Sequence, residues 1–124
     1  MSQEHAVRTM LVDGDPFMLE LLELDLAQIG FGVACSHTCG GAALAALDAP
    51  PGPPDLILLD LNMPGMDGLE FVRHLVEQHY RGSLVLISGE NGRMLQAAAT
   101  LVRAHHISVL GQLRKPVSSQ GLAH

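Results

Sequence analysis

Four residues whose side chains could do chemistry together each close a short apolar run. In DLILLDLNMPGMDGLEF, the run Leu56–Leu59 leads directly into Asp60, and a carboxylate at the end of so apolar a segment is costly unless it is paired or used. Val7–Val12 leads into Asp13-Gly14-Asp15, Leu84–Ile87 into Ser88-Gly89, and Ile107–Leu113 into Arg114-Lys115-Pro116. Clustered carboxylates hold Mg²⁺ through hard oxygen ligands and retained waters, a hydroxyl donates to a phosphoryl oxygen, and a compact ammonium serves another as a point charge. An aspartate beside such a metal can act as a nucleophile and form an aspartyl phosphate. Each residue also has a plain structural use: Asp13 and Asp15 as helix caps before Pro16, Ser88 as a turn residue, Lys115 as a solvated strand end. Lys115, however, is the only lysine in the chain.

The elements that must position these groups follow from the pattern. Val7–Val12, Phe31–Ser36, Leu56–Leu59, Leu84–Ile87 and Ile107–Leu113 read as buried strands. Helix-length segments separate them. Phe17–Ile29 opens after Pro16 and stops at Gly30, with apolar residues at 17, 18, 21, 22, 24 and 29 set against Glu20, Glu23 and Asp25; Gly41–Leu47, Leu69–His79 and Met94–Ala104 follow. Regular alternation of strand and helix predicts an α/β fold, one parallel sheet with right-handed crossovers and helices on both faces. Ligands of such sheets bind outside the carboxyl ends of the strands, where the four candidate residues stand.

Composition narrows the class. At 124 residues the chain is read as one domain, and no apolar run approaches the roughly 20 residues that span a bilayer. The N-terminus MSQEHAVR lacks the apolar centre of a secretory signal, so a cytoplasmic location is expected, with no membrane partner. A net charge of −6, with 7 basic residues that form no run longer than the Arg114-Lys115 pair, gives no stripe to follow a phosphate backbone, so direct nucleic-acid binding is not expected. Cys35 and Cys39 have no second Cys/His pair at zinc-ligand spacing and are read as reduced thiols.

On LLDLNMPGMDG, Ser88-Gly89, Lys115-Pro116 and Asp13, the chain resembles the receiver domain of two-component response regulators over nearly its whole length. The resemblance implies a flavodoxin-like doubly wound sheet of five strands in the order 2-1-3-4-5. It implies Asp60 as phosphoacceptor, with Ser88 and Lys115 on the phosphoryl group, and Mg²⁺ held by Asp13, Asp60 and the backbone carbonyl of Asn62. It also implies a cis Lys115-Pro116 bond, a sensor histidine kinase or phosphotransfer protein as donor, and an effector domain downstream or in trans. SVLGQLRKP resembles receivers joined to cyclic-dinucleotide phosphodiesterase domains. No enzymatic turnover of an external substrate is implied.

Four positions depart from that pattern or tune it. Gly14 stands where the family has a second acidic residue, which puts Mg²⁺ affinity in question, and Asp15 one place on is read as a helix cap rather than a substitute ligand. Gln112 stands where an aromatic switch residue is usual. Asn62 and Glu90 occupy positions that influence the lifetime of the aspartyl phosphate. The chain ends at VSSQGLAH, so the last helix is expected to be short or truncated, and residues 1–124 are read as a receiver domain cut from a longer response regulator. Gly14 and Gln112 keep open a degenerate receiver that binds partners without phosphorylation. A haloacid-dehalogenase-type phosphatase is opposed by the position of Asp60 after the third strand and by the lack of room for a substrate cap.

Overall fold

The computed structural model describes residues 7–49, 52–61, 68–88 and 92–114. Strands and helices alternate: β1 (Thr9–Val12), α1 (Pro16–Gln28), β2 (Val33–His37), α2 (Gly40–Leu47), β3 (Leu56–Asp60), α3 (Gly68–Glu77), β4 (Ser83–Ser88), α4 (Gly92–Ala104) and β5 (Ser108–Arg114). The five strands form one parallel sheet in the order β2-β1-β3-β4-β5, as expected. The three inner strands are apolar on both faces because both faces are covered. One core joins Met10, Val12, Ile57, Leu59, Leu84 and Leu86 to α2, α3 and α4. The other sets Leu11, Leu58 and Ile87 against Met18, Leu19, Leu22 and Leu26 of α1.

Both outer strands carry a register shift. Thr9 pairs with Val33 but Met10 with Cys35, so Ala34 is passed over. Leu84 pairs with Val109 but Val85 with Gly111, which leaves Leu110 outside the ladder and 64% exposed.

Helix α1 starts where the sequence places it and presents a different face. Asp15 is its N-cap, accepting the Phe17 N–H at 3.0 Å, and Pro16 occupies the first turn, where its missing N–H costs nothing. Gly30, at φ 91°, closes it, with the Phe31 N–H reaching back to the Leu26 carbonyl at 2.8 Å. The buried stripe, however, is Met18, Leu19, Leu22, Asp25 and Leu26, whereas Phe17 and Leu24 are 71% and 63% exposed. The expected grouping of 17, 18, 21, 22, 24 and 29 against Glu20, Glu23 and Asp25 is therefore corrected. Leucines surround this helix, so apolarity alone does not select its inner side, and packing on β1 and β3 does. Asp25 is carried inward at 4% exposure, and its Oδ2 finds no hydrogen-bond partner among the described residues.

The expected last helix, the Lys115-Pro116 bond and the Met63–Asp67 turn lie outside the described residues.

Candidate functional site

Parallel pairing decides which strand ends meet. Val12 of β1 is in register with Leu59 of β3, so the next residues along, Asp13 and Asp60, come out side by side at the carboxyl edge of two central strands, which run roughly 5 Å apart. Asp60 is in turn in register with Ile87 of β4, which brings Ser88 to the same edge one step further on. All three are buried: Asp13 at 0%, Asp60 at 1% and Ser88 at 2% exposure. Two carboxylates this deep at adjacent strand ends have a large desolvation cost, and that arrangement favours a cation between or beside them.

Backbone contacts hold the edge in place. The Asp13 N–H donates to the His37 carbonyl at 3.1 Å, tying β1 to the end of β2. Asp13 Oδ1 accepts the Asp15 N–H at 2.9 Å, which orients that carboxylate across the β1–α1 turn. The Leu61 N–H donates to the Ile87 carbonyl at 2.9 Å, and the Gly68 N–H to the Leu61 carbonyl at 3.1 Å, so the chain leaving Asp60 stays on the β4 side and returns to begin α3.

Of the residues singled out from sequence, the described structure brings together Asp13, Asp60 and Ser88. Gly14 lies beside them in the β1–α1 turn with no side chain to offer. Asp15 is occupied as the α1 cap. Gln112 is exposed on β5, in register with Leu86, and with Ala99 and Arg103 of α4 lines a separate cavity of about 410 Å³. Asn62, Glu90 and Lys115 lie outside the described residues.

Two participants have no sequence signal of their own. His37 anchors Asp13 through its carbonyl, and burial pushes its imidazole below the usual histidine range; its buried Nε2 has no hydrogen-bond partner among the described residues. Gly68 approaches the chain after Asp60 so closely that a Cβ there would meet the Leu61 backbone, with the Asp60 carbonyl 3.1 Å away. The glycine of GMDG is the only hint of this in the sequence.

The donor set is made of carboxylate oxygens, a hard-ligand chemistry that suits Mg²⁺. Among the described residues no three His, Cys, Asp or Glu side chains are grouped to hold a metal, so two carboxylates are what these residues provide.

Residues 9–124 match the model of the family described as "Response regulator receiver domain". The chain is 28% identical to the transcriptional regulatory protein CitB of Klebsiella pneumoniae over 123 residues, covering 96% of this chain and 48% of that protein. It is 29% identical to the cyclic di-GMP phosphodiesterase RocR of Pseudomonas aeruginosa over 112 residues, covering 90% of this chain and 28% of RocR. The chain thus spans less than half the length of these two curated relatives. The crystal structure of a response regulator from Colwellia psychrerythraea superposes with a TM-score of 0.77 at 34% identity, covering 95% of this chain and 91% of that one. Among the described residues no helix is long and apolar enough to cross a membrane.

Proposed function

Since the chain belongs to the response regulator receiver family, we propose that it is the phosphoacceptor module of a two-component pathway, in which Asp60 takes a phosphoryl group from a sensor histidine kinase or a phosphotransfer protein. The observation that carries this reading is the adjacent burial of Asp13 and Asp60 at the carboxyl ends of paired central strands. The rigid sheet presents the Asp60 carboxylate for in-line attack on phosphorus, and its burial keeps competing water away. Ser88 donates its hydroxyl to one phosphoryl oxygen, and Lys115 sets its ammonium against another, so charge building on the phosphoryl oxygens meets donors already in place.

Asp13, Asp60 and the Asn62 carbonyl would hold Mg²⁺, which supplies positive charge to the transferring phosphoryl group. Asp13 is pre-aimed by the Asp15 N–H, and Gly14 leaves this cluster one carboxylate short of the family pattern, so metal affinity is reduced rather than absent. Asn62 and Glu90 adjust the lifetime of the aspartyl phosphate. Gln112 reports the state of the site through hydrogen bonds in the α4–β5 cavity instead of through an aromatic ring. The signal passes to an effector, joined to the receiver or acting in trans; RocR and CitB make a cyclic-dinucleotide phosphodiesterase or a transcription regulator the two output types to examine first. The cytoplasm is the compartment that fits such a module.

The test is incubation with acetyl phosphate and Mg²⁺ followed by intact mass. One phosphoryl group should be gained by the parent chain, none by Asp60→Asn, and phosphate should be lost rapidly in base, as an acyl phosphate requires. A phosphoryl gain that persists in Asp60→Asn would sink the assignment. A second reading, a receiver that binds partners without phosphorylation, rests on Gly14 together with the commitment of Asp15 to capping; no labelling of the parent at saturating Mg²⁺ would favour it.

A further inference from the structure

Helices α3 and α4 end in the same uncommon way. Each closes on a histidine in the left-handed conformation, His79 at φ 58° and His106 at φ 63°. Glycine is the usual residue there, because a Cβ in that conformation crowds the following carbonyl oxygen. Both ends are otherwise well formed: the Tyr80 N–H reaches the Leu75 carbonyl at 3.0 Å, and the Ile107 N–H reaches the Val102 carbonyl at 2.9 Å. Two neighbouring helices thus carry an imidazole where none is needed to end them.

The two imidazoles line one cleft. With Arg81 and His105, on a floor that includes Tyr80 and Ile107, they border a cavity of about 540 Å³. It lies at the amino ends of β4 and β5, the opposite end of the sheet from Asp13 and Asp60.

We propose that this cleft is a second ligand site, which binds a multiply charged phosphate-type anion between the Arg81 guanidinium and the imidazoles of His79, His105 and His106. Arg81 supplies a fixed fork of donors matched to phosphate oxygens. The imidazole rings add N–H donors around it. A shared metal is not the alternative, since no three metal-ligating side chains are grouped among the described residues.

The surrounding charges permit this. Residues 73–124 hold six of the seven basic residues and only Glu77 and Glu90 of the acids, although the whole chain has a net charge of −6. Glu77 of α3 faces His74 at 3.7 Å and does not line the cleft. Asp55 lines the adjoining cleft, which shares His79, Tyr80 and Arg81 with this one, and there it accepts the Arg8 N–H at 2.9 Å; Arg103 of α4 lines a further cavity that shares Ile107. The cavity falls within the roughly 300–1,000 Å³ of small-molecule sites.

The experiment is a calorimetric titration of the full chain with pyrophosphate, free of divalent cations, with the histidine ring resonances followed in parallel. Saturable binding should move the signals of His79, His105 and His106, and Arg81→Ala should weaken it about tenfold. His79→Gly and His106→Gly put the preferred residue at a left-handed position, so both variants should unfold at the same or a higher temperature than the parent while binding more weakly. Asp60→Asn should bind as the parent does, which separates this site from the phosphoacceptor reading. No saturable binding, or binding that survives Arg81→Ala unchanged, overturns the proposal.

Discussion

Asp13 Oδ1 accepts the backbone N–H of Asp15 at 2.9 Å, and Asp15 in turn accepts the N–H of Phe17 at 3.0 Å. The relay divides labour between the two carboxylates: Asp13 faces the strand-end cluster, while Asp15 starts a helix. Asp15→Ala should therefore cost about 1 kcal/mol of stability with little change in Mg²⁺ affinity. Gly14 is not among the positive-φ residues, so Gly14→Asp meets no left-handed strain and should tighten Mg²⁺ binding roughly tenfold. Calorimetric Mg²⁺ titration of the three proteins decides; unchanged affinity in Gly14→Asp with a large loss in Asp15→Ala would mean that Asp15 is the ligand.

Ser88 is 2% exposed beside Asp60, and its hydroxyl is one of two donors assigned to the phosphoryl group. With Lys115 left intact, Ser88→Ala should slow labelling by acetyl phosphate roughly tenfold to a hundredfold without abolishing it. Time-resolved intact mass gives the rate. A rate equal to that of the parent would remove Ser88 from the site.

A side chain at Gly68 would press on Leu61, whose Cδ2 would lie 2.6 Å from the new Cβ, whereas Gly111 has nothing within 4 Å. Gly68→Ala should destabilise the chain by about 1–3 kcal/mol and slow phosphorylation, because the segment that must yield leads directly from Asp60. Gly111→Ala should stay within about 0.5 kcal/mol of the parent. Denaturant unfolding of both variants tests the contrast.

Tyr80 is the only tyrosine, and there is no tryptophan, so phenolate absorbance reports this residue alone. Burial, reinforced by the nearby Asp55 charge, raises its pKa above the ordinary phenol range, and its hydroxyl donates to the Pro54 carbonyl at 2.9 Å. The folded chain thus holds this proton more tightly than the unfolded chain does. The resulting stability is fully present below about pH 10 and declines as pH rises further, because the unfolded chain is the one that ionises first. Tyr80→Phe should cost about 1 kcal/mol at neutral pH and flatten the alkaline decline. Ionisation near pH 10 in the folded protein would contradict the burial.

Much of this was legible in the sequence, and the gaps have physical causes. Apolar runs ending in Asp13, Asp60 and Ser88 identified the strands and the edge at which these three residues gather, since strands buried on both faces need uninterrupted apolarity while their ends need not have it. The inner face of α1 was not legible. In LELLELDL leucine falls on every side, and Asp25 looked external because it is charged, yet the packing carries it inward. Nor could QHYR and HHIS, which contain no glycine, announce that His79 and His106 take up left-handed conformations and line one cleft. That convergence depends on α3 and α4 lying side by side, a relation no local pattern encodes.

The skipped residues Ala34 and Leu110 have a consequence for how these molecules meet one another. A regular strand at the margin of a sheet is a template on which another chain can zip, the first step toward amyloid-like growth. Here β2 and β5, the two marginal strands, each break step with their inner neighbour. A bulge of this kind bends the strand and interrupts the even spacing of outward N–H and C=O groups that an incoming chain must match. The molecule is thereby discouraged from continuous-sheet pairing at both margins, and contacts between copies are left to helices and loops.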